Sequence, residues 1–130
     1  MKKIQISNPK EIGKILDFIH DKFFNKELIR FNQQLSTLEI KFERDKWEEK
    51  KLVKKILFIK KWNIPIVESI LRINFVDNYH IEDKANIGLY DFNEIKYDEK
   101  EGNIIITSGF PFLIKIKVKK FQIEIEDTES

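Results

Sequence analysis

The 130-residue chain contains no cysteine, so disulfides, thiolate metal ligands and cysteine nucleophiles are excluded. Four glycines and three prolines leave little material for a glycine-rich phosphate loop. Neither a G-x-S-x-G elbow nor an H-E-x-x-H helix is present. There are two histidines, His20 and His80, so imidazole chemistry has to use one of these or give way to carboxylates. Long apolar runs are also missing: no window approaches the ~18 apolar residues that cross a bilayer, and the start, MKKIQISNPKEIGKI, has lysines but no continuous apolar core. These absences lead us to expect a soluble, cytoplasmic protein with no cofactor and no membrane partner.

What is present suits one compact core. A chain of this length with 42% hydrophobic residues is of ordinary single-domain size. The expected domain runs over 1–127, with 128–130 as a frayed tail. Alanine occurs once, at Ala85, whereas isoleucine, lysine, asparagine and phenylalanine abound; that mix favours half-buried strands. Net charge is only +2, but its distribution is uneven. Arg44 to Trp62 carries eight basic against three acidic residues, and Asp77 to Glu101 the reverse, eight acidic against three basic.

One helix is written near the start, in SNPKEIGKILDFIHDKFF. Asn8 suits the cap, Pro9 the first helical position and Glu11 the third, and Ile12, Ile15, Leu16 and Ile19 then form one apolar stripe over roughly 14 residues. After it the period becomes two. Leu28–Phe31 and Thr37–Phe42 bracket NQQLS as a hairpin, and RDKWEEKKLVKK reads as a short helix or a charged loop leading into KILFIKK. Val67, Ser69, Leu71, Ile73 and Phe75 alternate as one long strand ending at Asp77-Asn78. FNEIKYDEKEGNIIIT gives two further strands joined by a loop in which Gly102 supplies positive φ. No β-α-β alternation appears, so the expected class is α+β: an N-terminal helix packed on a curved, mainly antiparallel sheet of about seven to nine strands, forming a small sandwich or partly open barrel.

The last strand carries an irregularity. In LIKIKVKKFQIEIED the apolar positions are Ile114, Ile116 and Val118, then Phe121, Ile123 and Ile125, a slip of one at Lys119-Lys120. Fifteen straight strand residues would span roughly 50 Å, against a diameter on the order of 36 Å for a globule of this size. A β-bulge at the two lysines would bend the strand and aim all six apolar residues into one concave core.

Chemistry-bearing constellations are weak. His20 lies in the last helical turn, where its charge suits the helix dipole. Asp77, His80 and Glu82 are the nearest approach to a metal-like cluster, but they lack a recognised ligand spacing, and the plain reading is a polar turn. Metal-dependent nucleases use an E-x-K strand triplet, and Glu39-Ile40-Lys41 and Glu94-Ile95-Lys96 fit it, as alternation in any Lys- and Glu-rich chain would. Lys50, Lys51, Lys54, Lys55, Lys60, Lys61 and Trp62 form the candidate nucleic-acid surface, with lysines for phosphates and an indole for stacking. Lysines on an edge strand would equally block unwanted sheet pairing. The expected function is a small non-enzymatic binding or protein-interaction module. A nucleic-acid binder and a carboxylate-based metal enzyme are the alternatives, and a homodimer through a sheet edge is a further expectation.

Overall fold

The computed structural model describes residues 3–45, 51–56, 59–63 and 66–128, with the backbone alone given for Asp45, Ile66 and the two segments between them. The chain begins with β1 (Lys3–Ile6) and then forms the expected helix in two parts. A 3-10 turn, Pro9–Glu11, is capped by Asn8, whose Oδ1 accepts from the Lys10 N–H at 3.0 Å, and α1 follows over Ile12–Ile19. Glu11 turns its carboxylate to Lys14 at 2.7 Å. Ile15 and Ile19 are fully buried, worth roughly 1.5–3 kcal/mol each, and Ile12, Leu16 and Phe18 pack beside them. The helix is shorter than expected because His20 leaves helical geometry (ψ 133°) and Asp21 is left-handed (φ 64°). That turn releases Phe23 and Phe24 into β2 (Phe23–Asn25).

Asn25 caps a second 3-10 turn, Lys26–Leu28, where a strand was expected to begin. The expected hairpin follows as β3 (Arg30–Asn32) and β4 (Thr37–Asp45), with Phe31 opposite Leu38 and Ser36 left-handed at φ 55°. Of the stretch read as a short helix or a charged loop, residues 46–50 lie outside the described residues, and 51–55 are neither: they belong to β5 (Lys51–Ile56), which pairs β6 (Ile59–Asn63) as a two-stranded hairpin. The remaining strands are β7 (Ile66–Ile73), β8 (Val76–Asp83), β9 (Leu89–Asp91), β10 (Glu94–Asp98), β11 (Asn103–Thr107), β12 (Phe112–Val118) and β13 (Ile123–Asp127). Gly102 closes the β10–β11 loop with φ 70°, as expected. The described strands exceed the expected seven to nine largely because β2, β3 and β9 have three residues each, too few to display a period.

The fold is α+β and antiparallel throughout its described pairings. Seven strands form one sheet in the order β1-β13-β7-β4-β2-β9, with β3 also on β4; four form a second, β10-β11-β12-β8. Leu38, Ile40, Leu71, Ile73, Ile123 and Ile125 from the larger sheet and Ile104, Ile106, Ile114 and Ile116 from the smaller belong to one buried cluster. Two sheets over a shared core make a sandwich; the barrel is not closed.

The slip at Lys119-Lys120 is the corner between the sheets. All six alternating residues from Ile114 to Ile125 are buried, yet they belong to two strands rather than one bulged strand: β12 lies in the smaller sheet and β13 in the larger. The expected long strand through Phe75 breaks in the same way, with β7 in the larger sheet and β8 in the smaller. Because β12 pairs β8 and β13 pairs β7, an antiparallel ribbon of two segments crosses from sheet to sheet. The Asn74 N–H donates to Gln122 O at 3.1 Å and the Lys119 N–H to Phe75 O at 2.9 Å, which keeps the ribbon paired through its bend. Phe75 takes φ 56°, and the Lys120 ammonium lies 5.3 Å from its ring centroid. A register irregularity does occur, one step earlier, between Lys117 and Val118. Thr128, expected in the frayed tail, is tied down: its N–H and Oγ1 donate to Glu68 O at 2.8 and 3.0 Å.

Candidate functional site

A cleft arises where β2 separates from β4. These two strands share one register pair, Phe24↔Phe42, whereas β4 pairs β7 from Leu38 to Asp45. Below that pair, β2 is drawn to the β9 side: the Asp21 N–H donates to Phe92 O at 3.0 Å and the Phe92 N–H to Lys22 O at 2.9 Å. The divergence opens a cleft of about 560 Å³ between residues 21–25 on one wall and 41–44 with Glu68 on the other. Its floor is rigid. Phe24 lies 4.5 Å from Phe92 and 5.7 Å from Phe112, while Phe42 meets Phe92 edge-on at 5.5 Å.

The rim has a different character. Phe23 is 52% exposed, Leu89 54% and Leu28 41%, so three large apolar side chains stand in solvent beside the cleft. Single exposed apolar residues are ordinary, but a group edging a concavity marks a contact surface. Opposite them stand Lys41, which approaches Glu68 at 4.0 Å, and Glu43. Arg44 directs its guanidinium inward, 5% exposed, donating from Nε to Asp127 Oδ1 at 3.0 Å and from Nη2 to Oδ2. Ser69 Oγ donates to the same carboxylate at 2.7 Å, and the Phe18 ring lies 5.0 Å from the guanidinium carbon. This lock fixes the β4 wall from within.

Two carboxylates beside the cleft hold loops in place. Asp83 accepts from the Tyr90 hydroxyl, from Lys26 Nζ at 2.9 Å and from the Asn86 N–H at 2.8 Å. The tyrosine hydrogen bond, then the lysine, pull its pKa below the ordinary aspartate value, and Lys26 is raised in return. Asp91 accepts from Ser108 Oγ and from the Gly109 N–H at 2.9 Å. Burial pushes Asp91 upward, but those hydrogen bonds and the nearby His20 outweigh it and its pKa falls. Both groups serve as turn anchors that seat β9 against its neighbours.

The sequence candidates are distributed elsewhere. Lys50 lies outside the described residues. Lys51, Lys54, Lys55, Lys60, Lys61 and Trp62 do share one hairpin, with register pairs Lys54↔Lys61, Lys55↔Lys60 and Leu52↔Trp62. Asp77, His80 and Glu82 all lie on β8; His80 Nε2 and Glu82 Oε1 are 3.8 Å apart on the outer face. Asp77 does not join them: among the described residues no three His, Asp or Glu side chains are grouped to hold a metal ion. His20 sits at the helix end with Nδ1 3.3 Å from Asp21. In the E-x-K triplets, Glu39 is held by Arg72 Nε at 2.7 Å, Lys41 faces Glu68, and Glu94 pairs Lys96 at 3.1 Å. Arg72 also donates to Glu124 and Glu126 at 3.1 and 3.3 Å, so the outer row is an ion-pair network across β4, β7 and β13. The sequence missed the Phe23, Leu28 and Leu89 rim, which rests on three-residue strands and a single 3-10 turn. The Phe23-Phe24 doublet was the one available signal, since adjacent strand residues face opposite ways.

Comparison with protein-family models, with curated proteins and with solved structures finds no match to this chain.

Proposed function

We propose that the protein is a non-enzymatic binding module whose β2–β4 cleft takes an extended apolar segment of a protein partner. The observation that carries this reading is the exposed trio Phe23, Leu28 and Leu89 on the rim of a preformed cleft. An extended segment is favoured over a rounded ligand because the cleft continues the line of β2 beside β4, which share the single register pair Phe24↔Phe42. A strand added along that line would set alternate side chains against the apolar rim and against Lys41 and Glu43, the pattern of strand-addition recognition. The aromatic floor and the Arg44–Asp127 lock hold the walls in place before binding, which lowers the ordering cost.

Selection from a displayed library of random decapeptides, followed by amide shift mapping of the enriched peptides, tests the reading. Alternating apolar sequences should be enriched, and their shifts should centre on residues 22–25, 41–43 and 89. Phe23→Ser with Leu89→Ser, both at exposed positions, should weaken binding roughly tenfold or more while leaving the melting temperature near wild type. Peptides that map to another face, or that bind the double variant equally well, would refute it.

A further inference from the structure

Resting on the strand-addition reading of the β2–β4 cleft, we infer that the segment it takes carries an arginine, seated between Phe23 and Glu43. The larger sheet leaves that place open. One step beyond Phe24↔Phe42, regular antiparallel pairing would set Phe23 opposite Glu43, but the register of β2 with β4 does not extend to them. A guest strand laid in this gap has an outward side chain flanked on one side by a phenyl ring that is 52% exposed and on the other by an exposed carboxylate.

The charges on this face are matched away from the cleft and unmatched at it. Along β4 the outward residues Glu39, Lys41 and Glu43 follow one another. Glu39 lies opposite Arg72, whose Nε donates to it at 2.7 Å, and Arg72 lies in turn opposite Glu124 and donates to it at 3.1 Å. Lys41 approaches Glu68 at 4.0 Å. Glu43 instead has Glu68 directly across from it, and like charges in that position are destabilising. Glu68 has Lys41 and accepts from Thr128 Oγ1 at 3.3 Å, whereas the Glu43 carboxylate makes no ion pair and accepts no hydrogen bond among the described residues. The unmatched charge is therefore on β4, the strand a guest would adjoin. Other cations of the cleft do not fill the place: Arg44 is turned inward to Asp127, and Lys22 stands on the opposite wall. A guest arginine would complete the row that Glu43 and Glu68 begin. Its methylene stem would cover the Phe23 ring, and its planar guanidinium both stacks on an aromatic ring and meets a carboxylate with paired donors, which an ammonium does not.

Three end-labelled decapeptides test this. They alternate valine with threonine, except that one central threonine position carries arginine, glutamine or glutamate. Fluorescence anisotropy against the full chain should rank them in that order, with arginine ahead of glutamate by roughly fivefold or more and the gap narrowing in high salt. Glu43→Gln should bring the arginine peptide down to the level of the glutamine peptide, and Glu43→Lys should reverse the ranking. Because it relieves a like-charge pair, Glu43→Gln should also melt about 1–3 °C above wild type without any peptide. Amide shifts with the glutamine peptide separate the two readings. If they centre on residues 22–25, 41–43 and 89 while all three peptides bind alike, or while the ranking survives Glu43→Gln, the arginine is refuted and the cleft reading stands. A lower melting temperature for Glu43→Gln would likewise refute the arginine alone. If no peptide binds, or the shifts fall on another face, the cleft reading fails and the arginine with it.

Discussion

Asp127 shows how much one side chain can carry. The residue is 3% exposed and its carboxylate receives Arg44 and Ser69 together, so its replacement removes a charge partner from a buried guanidinium. Breaking a buried pair by deleting one partner costs about 3–5 kcal/mol, whereas replacing both by apolar groups can be close to neutral. Asp127→Asn should therefore lower the urea midpoint severely, and Arg44→Met with Asp127→Leu should recover most of the loss. A cost for Asp127→Asn below about 1 kcal/mol would sink this account. The pair was not legible in the sequence: Arg44 read as the start of a basic stretch, Asp127 as the last residue before a tail, and 83 positions separate them. Pairing at that separation depends on strand register, which residue types alone do not reveal.

Among the elements, two glycines give opposite expectations. Gly102 closes the β10–β11 loop at φ 70°, and a Cβ there would also lie 3.4 Å from the Val118 carbonyl oxygen. Gly102→Ala should cost about 1–2 kcal/mol. Gly13 lies in α1, and a methyl group added to its Cα would meet nothing within 4 Å, so Gly13→Ala should stabilise by about 0.5–1 kcal/mol. Thermal unfolding of the two variants checks the pair, and the same sign for both would contradict the backbone assignments. Elements with long alternation were readable: Leu38, Ile40 and Phe42 of β4 and the apolar residues of β12 and β13 are buried as their period implied, and β10 and β11 form the expected pair of strands. The Phe75 break was not, because alternation continues through it and Asn74-Phe75 contains neither glycine nor proline. A period of two says which residues share a face, and it is silent about which sheet owns the strand. The cleft rim stayed hidden for a related reason, since three residues are too few to define a period.

For the molecule as a whole, acid is the condition that should matter most. Asp83, Asp91 and Glu124 are all held below their ordinary values of 3.8, 3.8 and 4.5. For Glu124, burial pushes upward but the Asn74 hydrogen bond and the charges of Lys3 and Arg72 prevail. A depressed folded-state pKa stabilises fully above the ordinary value and loses that stabilisation as pH falls through the folded value. The melting temperature should thus stay nearly level from neutrality to about pH 5 and decline below about pH 4. Glu124→Gln should flatten that decline, and a curve that falls mainly between about pH 6 and 7 would show that other groups govern it.

The crossing ribbon restricts how such a body can receive a ligand. Many two-layer proteins are joined by single linkers and can gape like a clamshell; here β7, β8, β12 and β13 leave one layer and enter the other side by side. Gaping at that corner would have to tear a hydrogen-bonded ribbon of two crossing segments. Capture by engulfment is closed to this architecture, and a guest must settle on ground already laid out.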